Sequence, residues 1–244
     1  MKFKTRITLY LIGGILPLLT ESLSLWWLFK LPTLYLFQVL AFYASVAIIV
    51  SHYAPVTASR CGLNTANQST LFRTTLILPL AGLVLNVKYL NNEAYWVIIC
   101  IAILGMILDG VDGAIARRTG NVTAFGARFD MELDAFLLLI LSLLVWRSSQ
   151  TGIWIILIGI IRYLFVIAGY IWPQLQGELP ANQRAKIICV VQGIVLLFCL
   201  GPITPSGVAS TVAAMALALL MYSFWIDIRW LLYRQVKISN ANKT

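Results

Sequence analysis

Polar breaks divide this sequence into eight apolar runs, each close to the roughly 20 residues that a helix needs to cross a bilayer. They are Ile7–Leu28, Thr33–Tyr53, Thr70–Val87, Tyr95–Ile115, Gly126–Trp146, Ile153–Ile171, Ile187–Pro202 and Gly207–Leu232. In lipid every backbone N–H and C=O must be bonded within the protein, and uninterrupted apolar runs of this length meet that condition as helices. Composition agrees, because 60% of the 244 residues are apolar and only 11% are charged. A soluble domain carries roughly 25% charged residues. A secreted domain, a disordered tail and a soluble enzyme with one anchor are all excluded. The expected fold is all-α, a polytopic membrane helix bundle.

The formal charge of +9 would suggest a nucleic-acid partner in a soluble chain. Here the cations lie in the loops, so membrane topology explains them and no nucleic acid is expected. With a cytoplasmic N-terminus, 13 Lys and Arg fall on the inside and only Lys30, Lys88 and Arg147 on the outside. That bias predicts eight spans with both termini cytoplasmic. The first run follows Lys2, Lys4 and Arg6 as a signal peptide would, but apolar character continues through Trp26 and Trp27 and no A-x-A site follows. It is read as a retained span. The four cysteines have no metal-ligand spacing, and His52 ends an apolar run as an interfacial residue. Residues 54–66 read as a polar linker. Residues 1–66 are then two N-terminal helices with their linker, 67–235 a six-helix membrane domain, and 236–244 a polar cytoplasmic tail.

Five of the nine acids, Asp109, Asp112, Asp130, Glu132 and Asp134, fall within one stretch of 26 residues. Acids at the edge of a span are costly to place and usually functional. Asp109, Asp112, Gly113 and Ala116 fall within about 100° of one another on a helix, with Arg117 at the edge of that face. Two carboxylates thus sit beside two small residues, which leaves room for a ligand to approach the backbone. Thr119-Gly120-Asn121 breaks the helix, and Gly126, Asp130 and Asp134 follow at i, i+4 and i+8 on one face of the next. Glu132 points the other way.

A short turn makes these two helices neighbours, so four carboxylates converge at the cytoplasmic membrane edge. They cannot all stay ionised so close together without cations. Oxygen ligands without His or Cys suit Mg²⁺ or Mn²⁺ and argue against zinc. Two divalent ions held by four carboxylates serve displacement at phosphorus. The expected chemistry is metal-dependent phosphoryl transfer on a substrate that is at least partly lipid. The rival reading is a transporter, in which acids facing the bundle interior line a cation pathway. Transporter sites usually lie near mid-membrane, whereas these acids stand at a span boundary.

The segment from Asp109 to Arg117, followed after eight residues by Gly126 to Asp134, has the pattern D-x-x-D-G-x-x-A-R, then G-x-x-x-D-x-x-x-D. It resembles the signature of the CDP-alcohol phosphotransferase family, with all eight fixed residues present. The resemblance implies a six-helix core, here 67–235, acting as the catalytic membrane domain. It also implies transfer of a phosphoryl group from a CDP-linked alcohol to a second alcohol, with release of CMP. Asp109, Asp112, Asp130 and Asp134 would hold the metal ions, and Asp134 would also be the base for the acceptor hydroxyl. Gly113, Ala116, Arg117 and Gly126 would shape the nucleotide site. Asn67, Thr70 and Arg73 resemble the N-x-x-T-x-x-R start of the family's first core helix. This places Asn67 and Thr70 at the nucleotide. Arg73, Arg162 and Lys186 resemble positions that bind phosphate or acceptor. For Arg73 and Lys186 the alternative is snorkelling to the interface. Arg162, within a span, needs a partner, for which Asp227 and Glu21 are the acids beyond the motif.

The reading is an integral-membrane phospholipid synthase using CDP-diacylglycerol, with a slight lean to glycerol 3-phosphate as the small alcohol acceptor. Arg118, Arg128, Arg162, Arg184 and Lys186 are cations for such an acceptor, or for the donor diphosphate or lipid head groups. A CDP-aminoalcohol donor with diacylglycerol as acceptor is the alternative division of the reaction. An inactive scaffold is disfavoured because the motif is intact. The resemblance also implies a homodimer. Cytoplasmic chemistry without a transit peptide suits a bacterial plasma membrane.

Overall fold

The computed structural model describes residues 3–53, 65–119, 124–172 and 183–241, with side chains at 10–52, 69–111, 113–114, 126–172 and 183–231. Each of the eight runs is a helix: α1 (Phe3–Leu28), α2 (Leu34–Tyr53), α3 (Thr65–Leu85), α4 (Asn92–Thr119), α5 (Ala124–Arg147), α6 (Ile156–Ile171), α7 (Gln183–Leu200) and α8 (Ser206–Ala241). There is no strand among the described residues. Most of the linker, residues 54–64, lies outside the described residues, and α8 continues into the segment expected as a polar tail.

Six of these helices are long and apolar enough to cross a membrane: α1, α2, α4, α6, α7 and α8. The described apolar part of α3 is shorter, Ser69–Leu85. In α5, Arg128, Asp130, Glu132 and Asp134 crowd the first half of the helix. The apolar stretch of α4, Asn92–Val111, ends just past Asp109. The chain is an integral membrane protein, and the two helices outside the apolar set both contribute charged residues to the site described below.

Residues 1–140 form one compact unit and residues 141–244 another, so the division falls within α5. In the first unit α1, α2 and α4 all pack on α3. Ile77, Leu78, Leu80 and Leu83 of α3 are almost fully buried, while Leu16 and Trp27 of α1 and Phe37 and Ile48 of α2 are exposed. Such exposure would be an aggregation hazard in water, but it suits a lipid-facing surface. Lys30, with φ of 49°, closes α1 in the left-handed conformation that ends many helices, and Pro32 follows. The docking of α2 on α3 is tight at Gly82, where a Cβ would stand 2.8 Å from both Tyr35 Cε2 and Val39 Cγ2. One turn on, buried Asn86 donates through Nδ2 to Gln38 Oε1 at 2.7 Å and to the Gly82 carbonyl at 2.9 Å. At the start of α4, Asn91 Oδ1 accepts from the Ala94 N–H at 2.9 Å and caps the helix.

In the second unit α7 packs along α8. Ala209, Ala213 and Ala216 of α8 are buried, and small residues at this spacing let two helices approach closely without a hydrophobic driving force between them. Buried Gln192 of α7 donates to the Ala216 carbonyl at 2.8 Å, removing a polar group from lipid. Arg184 of α7 is ion-paired with Asp227 of α8.

Candidate active site

The site lies in the first unit and is built by three helices. On α3, Thr70, Arg73 and Thr74 fall at i, i+3 and i+4, and all three are buried, Arg73 at 0% exposure. The Thr74 hydroxyl donates to the Thr70 carbonyl at 2.8 Å, so this face of α3 carries Arg73 as its charged group. On α4, Gly105 precedes Asp109 by one turn, and its carbonyl accepts from Arg73 Nε at 3.1 Å. On α5, Asp130 and Asp134 are separated by i+4, about 40° around the helix, and therefore face the same way.

Arg73 joins the three helices. Its Nη1 donates to Asp109 Oδ1 at 2.8 Å and to Asp130 Oδ1 at 2.6 Å, and its Nη2 donates to Asp134 Oδ1 at 2.7 Å. The planar fork of a guanidinium suits several carboxylates at once, which a lysine could not match. A buried cation in a membrane protein must be paired, and this one has three partners. Snorkelling does not describe Arg73, whose side chain is 1% exposed.

Asp109, Asp130 and Asp134 each offer an oxygen, and the three oxygens lie within 4.8 Å of one another. Three hard anionic donors this close fit a divalent cation of the Mg²⁺ or Mn²⁺ type. Three carboxylates against one guanidinium leave a formal charge of −2, which one divalent ion would balance. The aspartate side chains are 18%, 37% and 28% exposed in chain order, while Arg73 is closed off.

The structure thus brings together Asp109, Asp130 and Asp134 of the four expected metal ligands. The side chain of Asp112 lies outside the described residues, as do those of Asn67, Ala116 and Arg117. The backbone carries Asp112, Ala116 and Arg117 on α4 and Asn67 on α3. Gly113 and Gly126 are half-buried in α4 and α5 respectively, and Thr70 is buried on α3. Glu132 is exposed and stands outside the triad. Arg162, half-buried on α6, and Lys186, exposed on α7, belong to the second unit. Asp227, one of the acids considered for Arg162, is paired with Arg184. Both carboxylate oxygens of Glu21 on α1 are buried without a hydrogen-bond partner among the described residues.

Arg73 is the residue whose place sequence reasoning missed. The N-x-x-T-x-x-R pattern marked it as a candidate for phosphate or acceptor, and no sequence signal paired it with the three aspartates.

The sequence model of the CDP-alcohol phosphatidyltransferase family matches residues 63–225, well over half of the chain. That region starts just before α3 and ends within α8, so it contains the whole triad together with Arg73. No curated protein and no solved structure matches the chain.

Proposed function

Because the chain belongs to the CDP-alcohol phosphatidyltransferase family, we propose that it joins the phosphatidyl group of CDP-diacylglycerol to the hydroxyl of a small alcohol and releases CMP. Membership makes it a transferase of substituted phosphate groups, and its long apolar helices make it a membrane enzyme. The observation that carries the finer reading is the carboxylate triad, with oxygens within 4.8 Å, at the end of an apolar span. A diacyl donor can keep its chains in lipid while its diphosphate reaches acids at that boundary.

Asp109, Asp112, Asp130 and Asp134 would hold two divalent ions, Mg²⁺ or Mn²⁺. When bound, such ions neutralise the donor diphosphate and ease departure of CMP. The acceptor oxygen forms a bond to the phosphorus that carries the diacylglycerol, and the bond from that phosphorus to the bridging oxygen breaks, CMP leaving with it. Asp134 takes the acceptor's proton. Its Oδ1 accepts from Arg73 Nη2 at 2.7 Å. Gly113, Ala116 and Gly126 clear space for the nucleotide, and Arg117, Asn67 and Thr70 bind it.

An acceptor bearing a phosphate, of the glycerol 3-phosphate type, suits the cations Arg128, Arg162 and Lys186. The excess of basic residues in the alternate loops supports a cytoplasmic site, and a bacterial plasma membrane is the proposed location. A homodimer is the proposed assembly.

The test is CMP release by the purified protein with CDP-diacylglycerol and each acceptor in turn. Release is expected with one acceptor, with Mg²⁺ or Mn²⁺, and not with chelator or with Asp112→Asn. CMP from a CDP-aminoalcohol and diacylglycerol would reverse the donor assignment. Ion uptake into vesicles without CMP from any donor would replace the enzyme by a transporter.

A further inference from the structure

We propose that Arg73 is a positioning residue of the metal centre, a fixed floor that holds one oxygen of each of three aspartates and keeps the ligand set assembled. The inference rests on the metal-dependent reading above and adds to it a residue that touches neither substrate nor the reacting atoms.

Three features of the geometry point the same way. The guanidinium donates to Oδ1 of Asp109, Asp130 and Asp134 at 2.6–2.8 Å, and to the Gly105 carbonyl through Nε. The second feature is depth. Arg73 is closed off at 1% exposure whereas the aspartate side chains are 18–37% exposed, so the route from solvent leads to the carboxylates. A phosphate or acceptor arriving by that route meets the carboxylates first. The third is connectivity. Asp109 lies 36 residues from Arg73, and Asp130 and Asp134 lie 57 and 61 residues away. One side chain therefore sets the distance between α4 and α5 as well as the orientation of the ligands.

The role follows from charge. Three carboxylates within 4.8 Å repel one another, and the helices carrying them would part without a cation between them. Arg73 supplies that cation permanently, so the ligand set stays assembled whether or not divalent ions are present. Preorganised ligands of this kind need little rearrangement when an ion binds.

The test is thermal unfolding of the full chain in detergent, in chelator and in saturating Mn²⁺, for wild type, Arg73→Lys and Arg73→Gln. In chelator Arg73→Gln has nothing to offset the repulsion. In Mn²⁺ the ion supplies part of the missing charge. The gap in Tm between wild type and Arg73→Gln is expected to be wider in chelator than in Mn²⁺ by roughly 5 °C or more. Arg73→Lys, which restores charge without the fork, should fall between the two. An equal gap in both conditions would mean that Arg73 only packs the core, and would overturn the proposal. If Arg73→Gln does not fold, the double variant Arg73→Gln/Asp130→Asn, which removes one repelling charge, is expected to recover folded protein in chelator. Failure to recover any would also overturn it. A wild type whose Tm ignores Mn²⁺ would overturn this proposal and the metal reading together, whereas a normal Mn²⁺ shift with a uniform gap removes only the floor.

Discussion

Neutralising Asp109 should separate the two jobs of the triad, stability and metal binding. In Asp109→Asn the carboxylate loses its ion pair with Arg73 Nη1, 2.8 Å away. At an effective dielectric of about 20 such a pair is worth about 6 kcal/mol before desolvation. The same change removes two repulsions, with Asp130 and Asp134, whose oxygens lie within 4.8 Å. Each is worth at least about 3.5 kcal/mol on the same scale. The gain and the loss nearly offset, and partial exposure of the aspartates shrinks both terms by screening. Arg73 meanwhile keeps two carboxylates and the Gly105 carbonyl. Asp109→Asn should therefore unfold in chelator within about 2 kcal/mol of wild type. Metal binding has no such compensation, because a divalent ion loses an anionic ligand outright. A loss of about 3 kcal/mol there corresponds to roughly a 100-fold rise in the Mn²⁺ concentration needed for CMP release. The assay pairs thermal unfolding in chelator with a Mn²⁺ titration of CMP release. An Asp109→Asn protein that unfolds as readily in chelator as Arg73→Gln would refute the offset. One that titrates with Mn²⁺ like wild type would remove Asp109 from the ligand set.

Two further changes test the packing around the site. Gly82→Ala drives a methyl group to 2.8 Å from Tyr35 and Val39, and should cost about 1–3 kcal/mol in thermal unfolding, less the small gain in helix propensity. Wild-type stability in that variant would mean that α2 is not docked on α3 at this point. Glu21→Gln removes a carboxylate whose two oxygens are buried without a hydrogen-bond partner among the described residues, so its stability should stay within about 1 kcal/mol of wild type or rise. A loss of several kcal/mol would show that the carboxylate is held by a group that the amide cannot replace.

The elements and the fold class were legible in the sequence because they depend on local composition. An apolar run of about 20 residues must be helical in lipid whatever its neighbours do. The clustering of the acids was legible for a related reason. The i, i+4 spacing of Asp130 and Asp134 puts them on one face of any helix. The turn chemistry of Thr119-Gly120-Asn121 in the sequence predicts that Asp109 comes near them. The eight-residue signature then identified the family, which the match over residues 63–225 bears out.

What lay beyond the sequence was the partner of each lone charge. Pairing across helices depends on how far each helix is rotated and slid against the next, and no local spacing encodes that. Arg73 could equally have reached the interface from its place near the start of α3. Only the packing of α4 on α3 puts the Gly105 carbonyl and Asp109 within its reach, with Asp130 and Asp134 of α5 beside them. Asp227 was a candidate partner for Arg162, and the register of α7 against α8 pairs it with Arg184. Glu21 shows the other side of the same limit, since nothing in the sequence marks it as an acid whose oxygens end up buried with no hydrogen-bond partner among the described residues. Sequence alone determined that this chain crosses a membrane as helices and carries acids suited to metal-dependent phosphoryl transfer. Tertiary structure decided that a buried arginine holds those acids together, because the energy of a charge inside a membrane protein depends on what lies within a few ångströms of it.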